Sequence, residues 1–135
     1  MSGRVNVQLG LADGSEESCT LDWEGEAEGV KLTAASPAVG VATVTAPDVF
    51  AALLKLREQI EPRGIVLLCN GSRRDAYPSR MLSEMARGQK VYALRSGKQS
   101  SKADIIDVFG PAARSAVGTI TEQRAGYEAW LQSLK

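Results

Sequence analysis

The residues best suited to chemistry lie between positions 70 and 79, where the chain reads Asn-Gly-Ser-Arg-Arg-Asp-Ala-Tyr-Pro-Ser. Arg73 and Arg74 are planar, permanently charged forks that match a phosphate or a carboxylate. Asp75 can orient one of them, Tyr77 offers a ring and a hydroxyl, and Asn70, Gly71 and Ser72 permit tight turns and polar contacts. Ser79 stands where a helix would begin, so unpaired N–H groups and the positive end of a helix dipole would add to an anion site. The same residues can instead serve the fold alone: Arg73 and Asp75 pair with neighbours, Tyr77 covers the core, and Pro78 stiffens the start of the helix. The stretch matches neither the Gly-rich dinucleotide fingerprint nor the phosphate loop ending in Gly-Lys-Ser.

A second charged stretch lies near the N-terminus. Residues 1–30 carry seven acids, among them Glu16, Glu17 and Glu24, against the single base Arg4, whereas residues 63–102 carry nine bases against Asp75 and Glu84. Such asymmetry steers partners of opposite sign, unless the two regions fold against each other and cancel. The acids can equally be a charged hairpin edge that discourages strand association. Trp23 lies within the acidic run and would anchor an interface if exposed, although its place in an alternating strand favours the core.

Histidine is absent and the formal net charge is zero. The usual Ser–His and Cys–His nucleophile systems are thereby excluded, as are histidine zinc sites. An enzyme built on this chain would need Asp75 or Tyr77 as its proton carrier. The spacing of Cys19 and Cys69 suits no metal, and both fall in apolar runs, where free thiols pack as small hydrophobes in a reducing compartment. No cofactor motif is present. Basic residues 63–102 raise nucleic-acid binding as a possibility, but no binding motif accompanies them and aromatic residues make up 5% of the chain.

The elements that must position these residues follow from periodicity. At 135 residues the chain is expected to form one domain, 1–135, with 44% hydrophobic residues to fill its core. Val5, Val7, Leu9 and Leu11 alternate with polar residues, as do Cys19, Leu21 and Trp23 after the Asp13-Gly14 turn, which predicts an antiparallel hairpin. Val30, Leu32 and Ala34 mark a third strand, and Val39, Val41 and Val44 a fourth. Thr45-Ala46-Pro47-Asp48 reads as a helix start with Thr45 as its cap, followed by a stripe of Val49, Phe50, Leu53, Leu54, Leu56, Arg57 and Ile60. Pro62 and Gly64 end that helix. The unbroken run Ile65–Cys69 predicts a central strand covered on both faces.

Ser79 caps a short helix with apolar positions Met81, Leu82 and Met85, closed by Gly88. Val91–Leu94 reads as a strand and 95–102 as a polar, mobile segment. Residues 103–109 fit either a helix that starts at Ser101 with Asp104, or a strand. Thr119 and Glu122 form a capping box that opens a last helix, with Ile120, Tyr127, Trp130, Leu131 and Leu134 facing the core. The expected class is α/β (α+β): one mixed sheet, an N-terminal antiparallel meander followed by βαβ-like units, with helices packed on the sheet. No apolar run is long enough to span a bilayer and no secretory signal is evident, so a cytoplasmic protein without membrane contact is expected.

The stretch GIVLLCNGSRRDAYPSRMLSEMARGQKVYAL from Gly64 to Leu94, with the ending TEQRAGYEAWLQSL, resembles small uncharacterised bacterial proteins of actinobacterial type that share a Gly-Ser/Ala-Arg-Arg-Asp-x-x-Pro-Ser loop. In size and in lacking histidine the chain is also similar to immunity proteins of polymorphic toxin systems. That likeness implies a non-enzymatic inhibitor that occludes a toxin domain, through the acidic hairpin or the loop 70–79. The alternative is a small module that binds phosphate or nucleotide, with Arg73 and Arg74 on the anion and Ser79 at the helix start.

Overall fold

The computed structural model describes all of residues 1–135 and shows an α+β fold with helices packed on two antiparallel sheets. Strands β1 (Ser2–Gly10), β2 (Glu16–Glu26), β3 (Gly29–Ser36) and β4 (Gly40–Ala46) form the expected meander. Helix α1 (Val49–Ile60) follows, then β5 (Val66–Leu67), β6 (Ala76–Tyr77), α2 (Arg80–Ala86), β7 (Lys90–Ala93), β8 (Ile105–Asp107) and α3 (Ile120–Ser133). The larger sheet has the order β4-β3-β2-β1-β5 and the smaller the order β6-β7-β8. Every pairing is antiparallel, so two sheets replace the single mixed sheet and no βαβ unit forms.

The run Ile65–Cys69 accounts for the difference. After α1, Gly64 adopts φ +76° against Ala12, just past the end of β1, and β5 enters beside Leu9 and Gly10. Entry at that end makes antiparallel pairing the only register available. The strand is short and at the sheet's edge, not central. It is still buried, because Leu68 bonds to Gln8 on one side and to Ala112 on the other.

Alternation places Val7, Leu9, Cys19, Leu21, Trp23, Leu32 and Val44 on the inner face, against Phe50, Leu53 and Leu56 of α1. The same cluster includes Ala76, Val91 and Val108, so one core serves both sheets. Trp23 is 8% exposed and lies flat over Gly3, which makes it a core residue. Cys19 and Cys69 are free and buried.

Local signals hold in part. The Asp48 carboxylate accepts from Ala51 N at 2.8 Å and caps α1, while Thr45 remains in β4. In α2 only Leu82 is buried, and Met81 and Met85 are 64% and 77% exposed, because this seven-residue helix meets the fold along one narrow side. The open segment resolves into a single 3-10 turn, Lys102–Asp104, followed by β8. The polar 95–102 segment is tied down through an Arg95–Asp104 ion pair and a bond from Gly97 N to Ser133 Oγ. No helix is long and apolar enough to cross a membrane.

Candidate functional site

The loop after β5 is held on several sides. Asn70 N bonds to the Gly110 carbonyl, Gly71 N to Val108 and Arg74 N to Ala116. The Asn70 side-chain amide donates to Asp107 O at 3.0 Å. A 3-10 turn at Asn70–Ser72 buries Gly71 and Ser72. The Arg73 fork is engaged by Asp75 through two hydrogen bonds, of 2.8 and 2.7 Å. That pairing holds the Asp75 carboxyl below its ordinary pKa and raises that of Arg73. Arg74 is exposed, donates to the Ser115 carbonyl and has no carboxylate within ion-pair distance. Ser79 Oγ accepts from Leu82 N at 3.0 Å as the cap of α2. The structure therefore brings Arg73 and Asp75 together, turns Arg74 onto the Ser115 carbonyl on the Gly118–Glu122 side, and engages Ser79 locally.

Beneath the loop lies a buried polar lock. Arg57 and Gln123 are each 1% exposed. Arg57 donates to Glu61 at 3.0 Å, to Gln123 Oε1 at 2.6 Å, and to the Gly71 and Gly118 carbonyls. The Gln123 amide donates to the carbonyls of Gly71, Arg73 and Ala76. Glu61 also accepts from Ile120 N, the first turn of α3. Burial pulls the Arg57 pKa down, and the Glu61 carboxylate opposes it. The sequence places Arg57 within the apolar stripe of α1 and Glu61 four residues on, at i,i+4 spacing, but carries no local signal for Gln123, 66 positions away. Ser72 Oγ is buried with no hydrogen-bond partner, beside the Cys69 thiol. Burial pushes the Cys69 thiol up, so it stays protonated and closed off.

On the outside of this lock the aromatic residues form a ledge. Tyr77 meets Phe50 edge-on at 5.4 Å and stacks on Tyr127 at 4.3 Å; Tyr127 in turn lies 6.0 Å from Trp130. The three outer rings are half-buried. The Trp130 indole donates to Lys98 O at 2.9 Å. The expected core face of α3 is thus a correction: only Gln123 is buried, and Leu131 is 40% exposed. The helix docks through polar bonds and ring stacking because its apolar residues are too few to cover a core face.

A small hollow of about 70 Å³ opens among Tyr77, Pro78, Tyr92, Ser100, Tyr127 and Trp130. Ser100 Oγ is buried with no partner. Across Trp130 and Leu94, which line both, lies a second depression of about 170 Å³ that includes Arg74, Asp75 and Ser96. Wider, open hollows of about 430 and 590 Å³ lie over the Arg4–Asp22 pair and beside the Glu26–Gly29 turn, lined mainly by polar side chains and backbone.

The acidic hairpin does not present one surface. Glu16 and Glu17 sit at the start of β2, while Glu24 pairs across to Ser2 and Lys31 near its other end, roughly 25 Å away at strand rise. Glu17 accepts from Ala38 N at 2.7 Å and so supports the β3–β4 turn. No group of three or more Cys, Asp or Glu is gathered so as to hold a metal ion.

No family and no curated protein matches this chain. The half-buried rings of Tyr77, Tyr127 and Trp130 and the two small hollows beside them are the main aromatic features of this face.

Proposed function

We propose that the protein is a non-enzymatic binding protein that acts by occlusion, with a bacterial toxin domain as its partner class, in the manner of immunity proteins. The observation that carries the binding reading is the stacked Tyr77–Tyr127–Trp130 ledge, half-exposed, with the exposed Arg74 on the same side of α3. Tyr, Trp and Arg are the residues that carry most binding energy at protein interfaces. The Arg57–Gln123 lock beneath fixes the rings in advance, which lowers the entropy lost on docking. A cytoplasmic setting accompanies this reading, since two buried free thiols suit a reducing compartment. A phosphate or nucleotide held by Arg73 and Arg74 lacks comparable support, because Asp75 engages the Arg73 fork.

The test is co-expression with a toxin domain encoded beside this chain's gene, with growth and complex formation as readouts. Protection and a stable complex are expected from the native chain. Trp130→Ala with Arg74→Glu should abolish both while the far-ultraviolet circular dichroism stays native. A complex indifferent to both substitutions would rule out the ledge as the contact.

A further inference from the structure

We propose that the free edge of β4 is a self-association surface, on which a second copy of this chain pairs strand to strand about a two-fold axis; this goes beyond the binding reading above and shares no residue with the aromatic ledge. A strand edge carries a row of unpaired N–H and C=O groups, and folded chains blunt it with charge, proline, short length or a cover. The other edges here use these devices. β5 and β6 are each two residues long, and β5 is closed on its far side by the Cys69–Pro111 bridge and by the bond from Ala112 N to Leu68 O. β8 is three residues long and ends in Asp107. β4 has none of them: it runs for seven residues at the border of the larger sheet without a proline. No residue from 32 to 47 is charged, in a chain where charged residues make up 24%.

The backbone shows which groups are free. Ala46 turns its carbonyl oxygen onto Gly29 of β3, whereas the preceding carbonyl, Thr45 O, is taken by Lys55 Nζ at 2.6 Å. Backbone groups alternate in direction along a strand, so Thr45, Thr43 and Val41 face the open side. Beyond Gly40 the Val39 N–H is engaged by Ser36 Oγ at 3.0 Å. The free stretch is therefore bounded by Lys55 at one end and Ser36 at the other, and Val41 and Thr43 lie between them with N–H and C=O open.

That pattern is complementary to itself. With Ala42 opposite Ala42 of the copy, Val41 pairs with Thr43 of the copy and Thr43 with Val41 of the copy, each pair exchanging both of its N–H···O=C bonds. The two occupied groups, Thr45 O and Val39 N–H, then face each other at the ends of the seam, where neither needs a partner. Val41 is 78% exposed and gains the Thr43 methyl of the copy as a cross-strand neighbour. Thr33 and Ala35, beside them in β3, are uncharged as well, so no like charges meet along the seam. The Ala38 turn that faces Lys55 of the copy carries one charge of each sign, Glu17 and Arg63. An isologous pair of this kind closes on itself and leaves no open long edge in the combined sheet.

Sedimentation equilibrium of the full chain should show a monomer–dimer equilibrium across about 1–500 µM, the range in which a modest interface dissociates. Val41→Lys, at an exposed position, sets like charge on both copies, and Thr43→Pro removes an outward N–H while sparing the bonds to β3. Each should raise the dimer dissociation constant at least roughly tenfold while the far-ultraviolet circular dichroism stays native. Cross-linking reads the register. Ala42→Cys should form an intermolecular disulfide under mild oxidation, because facing α-carbons in such a pair stand about 4.5 Å apart. Thr45→Cys, at the far end of the seam, should not, and the native Cys19 and Cys69 are buried and do not compete. Trp130→Ala with Arg74→Glu should leave the dimer intact, so failure of the ledge and failure of the edge are told apart. A monomer mass throughout, a dimer indifferent to both edge substitutions, or cross-linking at position 45 but not 42 overturns the proposal.

Discussion

Arg57 occupies a position on α1 where its neighbours Leu53 and Leu56 would lead one to expect another leucine, yet its charge is buried and each of its three nitrogens is hydrogen-bonded. Removing one partner leaves an uncompensated buried group. Gln123→Leu should therefore lower stability by about 2–4 kcal/mol in urea unfolding. The double variant Arg57→Met with Gln123→Leu should lose less than the sum of the single losses, because the 2.6 Å bond between the two side chains is counted in both single variants. The Arg73–Asp75 pair is partly exposed and contributes below about 1 kcal/mol. Since Asp75 has its pKa lowered in the fold, its contribution is complete above the unfolded value of about 4 and is lost as pH falls further. Stability measured for native protein and Asp75→Asn should differ by a constant amount near neutrality and converge below about pH 4. Both thiols are buried with raised pKa, so a thiol reagent should label neither Cys19 nor Cys69 until the protein unfolds.

At the scale of elements, α3 shows how docking can override propensity. Gly126 interrupts an otherwise good helix, and alanine there would gain about 1 kcal/mol in an isolated helix. In the fold its α-carbon lies against the Arg74 backbone, and a Cβ would run into that carbonyl oxygen. Gly126→Ala should instead destabilise by about 1–3 kcal/mol, with the Trp130 indole resonance displaced as α3 lifts. The caps at Ser79 and Thr119 are visible in sequence because they act within three residues. The role of Gly126 is not, because its constraint comes from a residue 52 positions earlier, the Arg74 carbonyl.

The molecule as a whole has one core shared by both sheets, with the lock tying α1 to α3. Unfolding should therefore be a single transition. Trp23 reports on the larger sheet and Trp130 on α3, so fluorescence of Trp130→Phe and Trp23→Phe should give the same urea midpoint relative to circular dichroism of each variant. In a Gln123→Leu background, the signal from Trp130 should be lost first. The charge asymmetry of the chain also changes meaning at this scale: the acids divide between the two ends of β2, and most arginines near the ledge find carboxylates of their own.

The sequence by itself determined the strands of the meander, the stripe of α1, the caps of α2 and α3 and the α+β class, since each depends on periodicity or on bonds between near neighbours. Only the tertiary structure decided that β5 takes the sheet's edge, that Arg73 meets Asp75 while Arg74 meets the Ser115 carbonyl, and that Tyr77, Tyr127 and Trp130 share one ledge. Those outcomes rest on contacts between distant residues, as in the Arg57–Gln123 bond across 66 positions. Local pattern carries the preference of each segment, but which polar groups meet is settled only when the segments pack.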